Sequence, residues 1–316
     1  MSANTKIVGL VLVGLIVGLG LGYGVSQMSG SQSPELDRAR AQIAGLETRI
    51  RALESKELSG TIVVKGSDTL LIVAQRWAEE FMKTNPKVSI SVAGGGSGVG
   101  FSALAQKTTD IADASREIKD SERATAKSNG VDPVEWTVGL DGIAIVVNPA
   151  NGVSELTMEQ LEKIYNGQYK NWKDVGGRDA TIVTYGRQST SGTYDFFREH
   201  VLKNANFRAD NRELAGNAEI VSSVQGDANG IGYVGVAYTK QGVNVKVLKI
   251  KSSPTGAALD PSIANIKTGA YPIARKLYIY TNGIPKGAMG TYVSFILGPE
   301  GQRILEEVGY ISLVRT

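Results

Sequence analysis

Between Thr184 and Phe197 the chain reads Thr-Tyr-Gly-Arg-Gln-Ser-Thr-Ser-Gly-Thr-Tyr-Asp-Phe-Phe, and the residue types at its centre are those that hold an anion. Arg187 brings a permanent charge and a paired donor fork. Ser191 and Thr193 suit the cap or first turn of the apolar, helix-like run that follows. Gly192 lets the backbone approach a ligand closely, and the unpaired N–H groups of a helix N-terminus carry partial positive charge. The same letters also describe an ordinary capped helix with a surface arginine, so the choice depends on whether the chain repeats the arrangement.

It does so twice. Ser67, Asp68 and Thr69 follow Gly66, and Ser97 lies in Gly94-Gly-Gly-Ser-Gly98; each turn precedes a helix-like run. Brought together, the three turns would aim several helix N-termini, hydroxyls and one or two arginines at one small anion, with no metal and no cofactor needed to satisfy its oxygens. The glycine-rich turn is no nucleotide loop, because no Gly-Lys-Ser/Thr follows it and the dinucleotide spacing is missing. Taken alone it also reads as a flexible loop.

Composition narrows the chemistry. The chain has 316 residues, 42% of them hydrophobic and 21% charged, as in a soluble globular protein. With no cysteine, disulfides, thiolate metal sites, cysteine nucleophiles and a lipoprotein anchor are excluded. The one histidine, His200, sits in a run that reads as a helix surface, which leaves little for a zinc site or a Ser-His-Asp triad. No Gly-x-Ser-x-Gly elbow occurs, so no catalytic residue is assigned. A net charge of +3 without a Lys/Arg-rich run gives no reason to expect nucleic acid. Two rival functions remain open: a phosphate-ester hydrolase with Ser97 or Ser191 as nucleophile, and an anchored sensor or scaffold that keeps the fold.

Residues 7–25 are uncharged and rich in Leu, Val, Ile and Gly, about the length that crosses a hydrocarbon core. The run exceeds a typical signal-peptide core and no clear Ala-x-Ala site follows, so an uncleaved membrane anchor is expected over residues 1–30. Lys6 precedes the span while the next charge on the far side is Glu35, which puts the N-terminus in the cytoplasm and the remainder outside. Gly14, Gly18 and Gly22 form a small-residue face. Leu36, Ala39, Ile43, Leu46, Ile50 and Leu53 alternate in steps of three and four, giving a helical stalk over residues 31–59. The seam suits a homo-oligomer through paired stalks, and equally one amphipathic helix resting on the globular part.

From Thr61 onward strand, polar turn and helix repeat three times, the pattern of an α/β lobe with ligands at the carboxyl ends of its strands. A second set begins at Asp141-Gly-Ile-Ala-Ile-Val-Val-Asn148, and a last buried strand at Leu277-Tyr-Ile-Tyr280 precedes a closing helix expected over residues 292–308. Two lobes with a return crossing fit this order. The boundaries are 60–140 with 276–316 for the first and 141–275 for the second.

At this point several ordered motifs carry a resemblance over residues 60–316: Gly66-Ser-Asp-Thr, Gly-Gly-Gly-Ser-Gly, Asp110-Ile-Ala-Asp-Ala-Ser-Arg116, Leu140-Asp-Gly-Ile-Ala, Arg187-x-x-x-Ser-Gly-Thr, Gly230-Ile-Gly-Tyr and Gly298-Pro-Glu-Gly-Gln-Arg-Ile-Leu. The chain resembles the phosphate-binding proteins of phosphate ABC transporters, with the two-lobed type II periplasmic-binding-protein fold. The resemblance implies that an extracytoplasmic, membrane-anchored protein captures inorganic phosphate and delivers it to an ABC transporter permease. It further implies that Thr69, Ser97, Arg187, Ser191, Gly192 and Thr193 contact phosphate and that Ser115 and Arg116 supply a further edge. Some members carry an aspartate where this chain has Arg116, and another where it has Ser189. The first accepts the proton of hydrogen phosphate and so excludes sulfate. Here that acceptor must be another group, with Asp68 the first candidate and Asp141 the second, unless Asp68 caps a helix and Asp141 holds an arginine.

Overall fold

Strands β1 (Gly60–Gly66) and β2 (Val88–Ala93) alternate buried and open positions, and β3 (Ile111–Ala114) is buried throughout. The structure, a computed structural model, describes Gln42, Ile43, Gly45 and residues 58–240 and 242–313. The expected membrane helix therefore lies outside the described residues, as does the stalk apart from Gln42, Ile43, Gly45, Leu58 and Ser59. Among the described residues no helix is long and apolar enough to cross a membrane. The features below all lie in the unit Glu57–Thr316.

Each of the first three strands leads into a helix: α1 (Leu71–Thr84), α2 (Ser97–Ala105) and α3 (Asp120–Ser128). In α1, Val73, Ala74, Trp77, Ala78 and Phe81 recur at helical spacing and are buried. The fifteen-residue β4 (Pro133–Val147) follows, then β5 (Glu155–Thr157), and α4 (Met158–Tyr165), whose N-cap Thr157 accepts from Gln160 N–H at 3.0 Å. Next come β6 (Val183–Arg187), α5 (Gly192–His200), β7 (Arg212–Leu214), α6 (Asn217–Gly226) and β8 (Gly230–Gly235). The chain closes with β9 (Lys246–Val247), β10 (Lys249–Lys251), α7 (Ile263–Lys267), β11 (Ala274–Asn282), α8 (Gly287–Leu297) and α9 (Pro299–Val308). The single closing helix expected over residues 292–308 is thus two. Pro299 has no N–H to continue α8 and disfavours a helical Gly298, yet it suits the first turn of α9.

Strand order is β2-β1-β3-β11-β4-β8-β6-β7, with β9 also on β4. β4 joins two halves. Its residues 133–142 pair antiparallel with β11, and its residues 143–147 pair antiparallel with β8. The expected lobe boundaries at 140/141 and 275/276 fall inside these two paired strands. β1, β2 and β3 are mutually parallel in one half, and β6, β7 and β8 in the other, so in each half the turns leaving their carboxyl ends share one edge. The chain has a mixed α/β, two-lobed architecture.

Aromatic residues fill both halves. Phe81 meets Tyr292 at 5.1 Å between ring centroids in the first, and Phe197 stacks on Tyr233 at 4.1 Å in the second. Near its end the chain returns to β4, where Leu140 and Ile311 exchange backbone hydrogen bonds of 2.8 and 3.0 Å.

Candidate anion-binding site

Three strand ends meet where the halves face each other. At the end of β1 the turn from Ser67 to Leu70 is tied to β3 by Ser67 N–H on Asp113 O at 2.9 Å, and Leu70 N–H closes on Ser67 O at 3.1 Å. At the end of β2, Gly96 has φ of 98° and its N–H reaches Gly66 O at 2.9 Å. A Cβ on Gly96 would lie 2.3 Å from Thr190 O, so glycine is required by both conformation and contact. At the end of β6, Ser191 caps α5 by accepting from Thr193 N–H at 3.1 Å and Tyr194 N–H at 3.4 Å.

The turns bond to one another. Gly98 N–H donates to Thr190 O at 3.1 Å. Asp68 accepts from Gly95 N–H on Oδ1 at 2.8 Å and from Arg187 Nη2 on Oδ2 at 2.5 Å. Its backbone oxygen takes the Tyr238 hydroxyl at 2.6 Å. The hydroxyls of Thr69 and Thr193 are 2.9 Å apart, and Ser97 Oγ accepts from Ser115 N–H at 3.1 Å. A Cβ on Gly192 would come within 2.3 Å of Ser97 Oγ and 2.8 Å of Ser115 Oγ, so no larger residue fits there. Ser67, Thr69, Ser97, Ser115, Arg187, Ser191 and Thr193 are all buried.

Arg187 is the electrostatic centre. Only 1% exposed, it directs Nη2 at Asp68 and at Ala215 O, 2.7 Å away. Its buried Nε and Nη1 have no hydrogen-bond partner among the described residues. Buried donors left unpaired are costly and uncommon. Two N–H groups of a guanidinium can hold two oxygens of one anion.

The other candidates take different parts. Arg116 has its whole fork engaged: Nε on Asp195 at 2.7 Å, Nη1 and Nη2 on Glu122 at 2.8 and 2.7 Å, and Nη1 also on Glu117 O. Asp195 Oδ1 also holds Lys119 at 2.8 Å. The added arginine is therefore neutralised by carboxylates. Asp141 faces Arg275 directly across β4 and β11 and accepts from its Nε and Nη2 at 3.0 and 2.8 Å. Burial raises the Asp141 carboxyl above its ordinary range, against the pull of Arg275 and of the Val236 N–H. Among the described residues no group of three His, Cys, Asp or Glu is arranged to hold a metal.

Arg275 is the residue that sequence reasoning missed. Its Nη1 reaches Ser115 O at 3.1 Å, and its Nη2 reaches Thr69 Oγ1 at 3.2 Å and Thr193 Oγ1 at 3.0 Å. The available signal was one acid and one base, Asp141 and Arg275, each set in an apolar strand. The register that places them opposite each other is not written in either segment.

Residues 52–300 match the family model of the PBP superfamily domain. The chain is 32% identical over 273 residues to the phosphate-binding protein PstS of Pseudomonas aeruginosa, with 81% of this chain and 84% of that relative covered. It is 35% identical over 266 residues to PstS of Staphylococcus epidermidis, with 82% and 81% covered. Among solved structures it is similar to a phosphate ABC transporter substrate-binding protein with bound phosphate from Clostridium perfringens, at 30% identity and a TM-score of 0.73, with 81% of this chain and 100% of that one covered. An ABC-type phosphate transport receptor from Vibrio cholerae gives 27% identity and a TM-score of 0.64, with 79% and 99% covered. With the family model matching well over half of its length and curated relatives above 30% identity across most of both chains, the chain belongs to the phosphate-binding-protein family of the PBP superfamily.

Proposed function

We propose that the protein is a solute-binding protein that captures inorganic phosphate between its two halves and delivers it to the permease of an ABC transporter. The observation that carries this reading is Arg187, buried where the three turns meet, with its Nε and Nη1 unpaired among the described residues. Phosphate contacts come from Arg187, from the hydroxyls of Ser67, Thr69, Ser97, Ser115, Ser191 and Thr193, and from the backbone at Gly192. Asp68 holds Arg187 in place, while Arg116 and Asp141 support the site through their ion pairs. The lobes are residues 60–140 with 276–316 and residues 141–275. They close by a hinge where β4 and β11 cross. Residues 1–30 anchor the protein in the membrane with its lobes extracytoplasmic, and residues 31–59 form a stalk that pairs with a second copy.

The hydroxyls give no support to a hydrolase. Ser97 Oγ accepts from Ser115 N–H and Ser191 Oγ caps α5, while His200 lies 3.1 Å from Phe196 O through Nδ1. Equilibrium dialysis with labelled phosphate, beside a turnover assay on a generic phosphate ester, tests the reading. Binding without turnover is expected; turnover, or no binding by the folded chain, overturns it.

A further inference from the structure

Ion pairs cross from one half to the other with both polarities. Asp68 of the first half holds Arg187 of the second. On α5 of the second half, Asp195 is held by two cations of the first, with Arg116 Nε on Oδ2 at 2.7 Å and Lys119 Nζ on Oδ1 at 2.8 Å. The first pair includes the central arginine of the anion site. The Asp195 cluster lies outside the proposed phosphate contacts.

Both sides of this cluster are fixed in place. Arg116 also donates to the two oxygens of Glu122, and its guanidinium lies 5.0 Å from the centre of the Phe101 ring. The segment that carries Lys119 is tied down by Ile118 N–H on the Tyr280 hydroxyl at 3.1 Å and by Lys119 N–H on Glu122 at 2.9 Å. Asp195 lies in the first turn of α5, where its N–H reaches the oxygen of the cap residue Ser191 at 3.1 Å. The pair therefore forms when the halves come together and breaks when they part. A carboxylate two residues beyond Thr193 opposes an anion at the N-terminus of α5 by Coulomb repulsion. Arg116 and Lys119 offset that repulsion only while the halves are together.

We propose that Arg116, Lys119 and Asp195 form a latch that sets how long phosphate is held, an inference that rests on the phosphate reading above. Closed, the latch keeps α5 against the first half and neutralises Asp195. Opened, it leaves the Asp195 charge uncompensated beside the anion, so parting of the halves and release of phosphate are coupled. Arg116 and Asp195 are both buried, where salt screens an ion pair weakly. All three act as positioning residues.

The test follows labelled phosphate leaving the full chain during a chase with unlabelled phosphate, with calorimetric dissociation constants alongside to give association rates. Asp195→Asn is expected to speed release about tenfold, the loss of one charge-assisted bond. Lys119→Met should speed it about twofold, as for a half-exposed pair. In both, association should change less than release. The double variant should release phosphate no faster than Asp195→Asn alone, because Lys119 acts through Asp195. Without a latch, removing the Asp195 charge would only relieve repulsion, and Asp195→Asn would hold phosphate longer. Release by Asp195→Asn as slow as the parent's or slower, additive effects in the double variant, or changes confined to association overturn the inference while leaving phosphate binding in place. Should Asp195→Asn fail to fold, the release rate of Lys119→Met decides alone. A folded parent that binds no phosphate overturns the functional reading itself.

Discussion

Asp68 and Arg187, 119 residues apart in the chain, share a 2.5 Å ion pair that ties the turn after β1 to the end of β6. The contact holds Nη2, while Nε and Nη1 of Arg187 have no hydrogen-bond partner among the described residues. Arg187→Ala should weaken phosphate binding about a hundredfold or more, because charge-assisted hydrogen bonds contribute on the order of 1.5–3 kcal/mol each and Asp68 is left unpaired. Arg187→Lys should recover part of the loss, keeping charge without the fork. Arg116→Ala should cost less, since the donors of Arg116 are already engaged. Calorimetry on the three variants checks the order, and an Arg116 variant weaker than the Arg187 variant reverses the assignment.

Asp68→Asn keeps an acceptor for Gly95 N–H but removes the charge that holds Arg187. Phosphate affinity should fall about tenfold, in line with the loss of one charge-assisted bond. Small-angle scattering should show a more open average shape than the parent at equal, sub-saturating phosphate. Identical scattering and affinity would remove this contact from the closing mechanism.

Gly192→Ala tests the close approach of the turns. An added Cβ meets Ser97 Oγ and Ser115 Oγ, both buried, so the α5 turn cannot settle against the others. The variant should fold with a melting temperature near that of the parent and lose most of its phosphate affinity. Normal binding would show that these turns separate when phosphate is held.

Asp113 supplies a pH signature. It lies in β3, 3% exposed, and burial pushes its carboxyl from 3.8 up to about 8. The folded chain therefore keeps a proton that the unfolded chain releases as pH rises. The associated stability is present at acid pH and declines from about pH 4 to about pH 8, above which this group adds no further slope. Melting temperatures of the parent should fall across that window more steeply than those of Asp113→Asn; parallel curves would rule out the assignment.

A chain beginning at Ser59 should bind phosphate as the full chain does, because the described site draws its residues from positions 66–275. Loss of binding by the folded, shortened chain would make the stalk part of the site. In detergent the full chain should associate through its stalk, and a monomer by light scattering would argue against that pairing.

The strand–turn–helix rhythm and the three turns, the Arg187 loop among them, were legible because each lies in a short segment. Glycines, hydroxyls and an arginine at fixed spacing limit the local backbone to few conformations. The break between α8 and α9 was equally local, since Pro299 marks it, although periodicity alone suggested one helix. Arg116 was legible as a charge but not in its effect: Glu122 lies six residues further on, whereas Asp195 arrives from the other half of the chain.

What the sequence determined by itself is the local character of each segment, hydroxyl- and glycine-rich turns before helices and an arginine at a strand end, because capping and backbone approach act over a few residues. What only the tertiary structure decided is which charges pair with one another. Asp141 and Arg275 meet through strand register, and Asp68 and Arg187 through the contact of two turns. Electrostatic pairing depends on distance in space, and the register and packing that set those distances come from the whole sheet rather than from either segment.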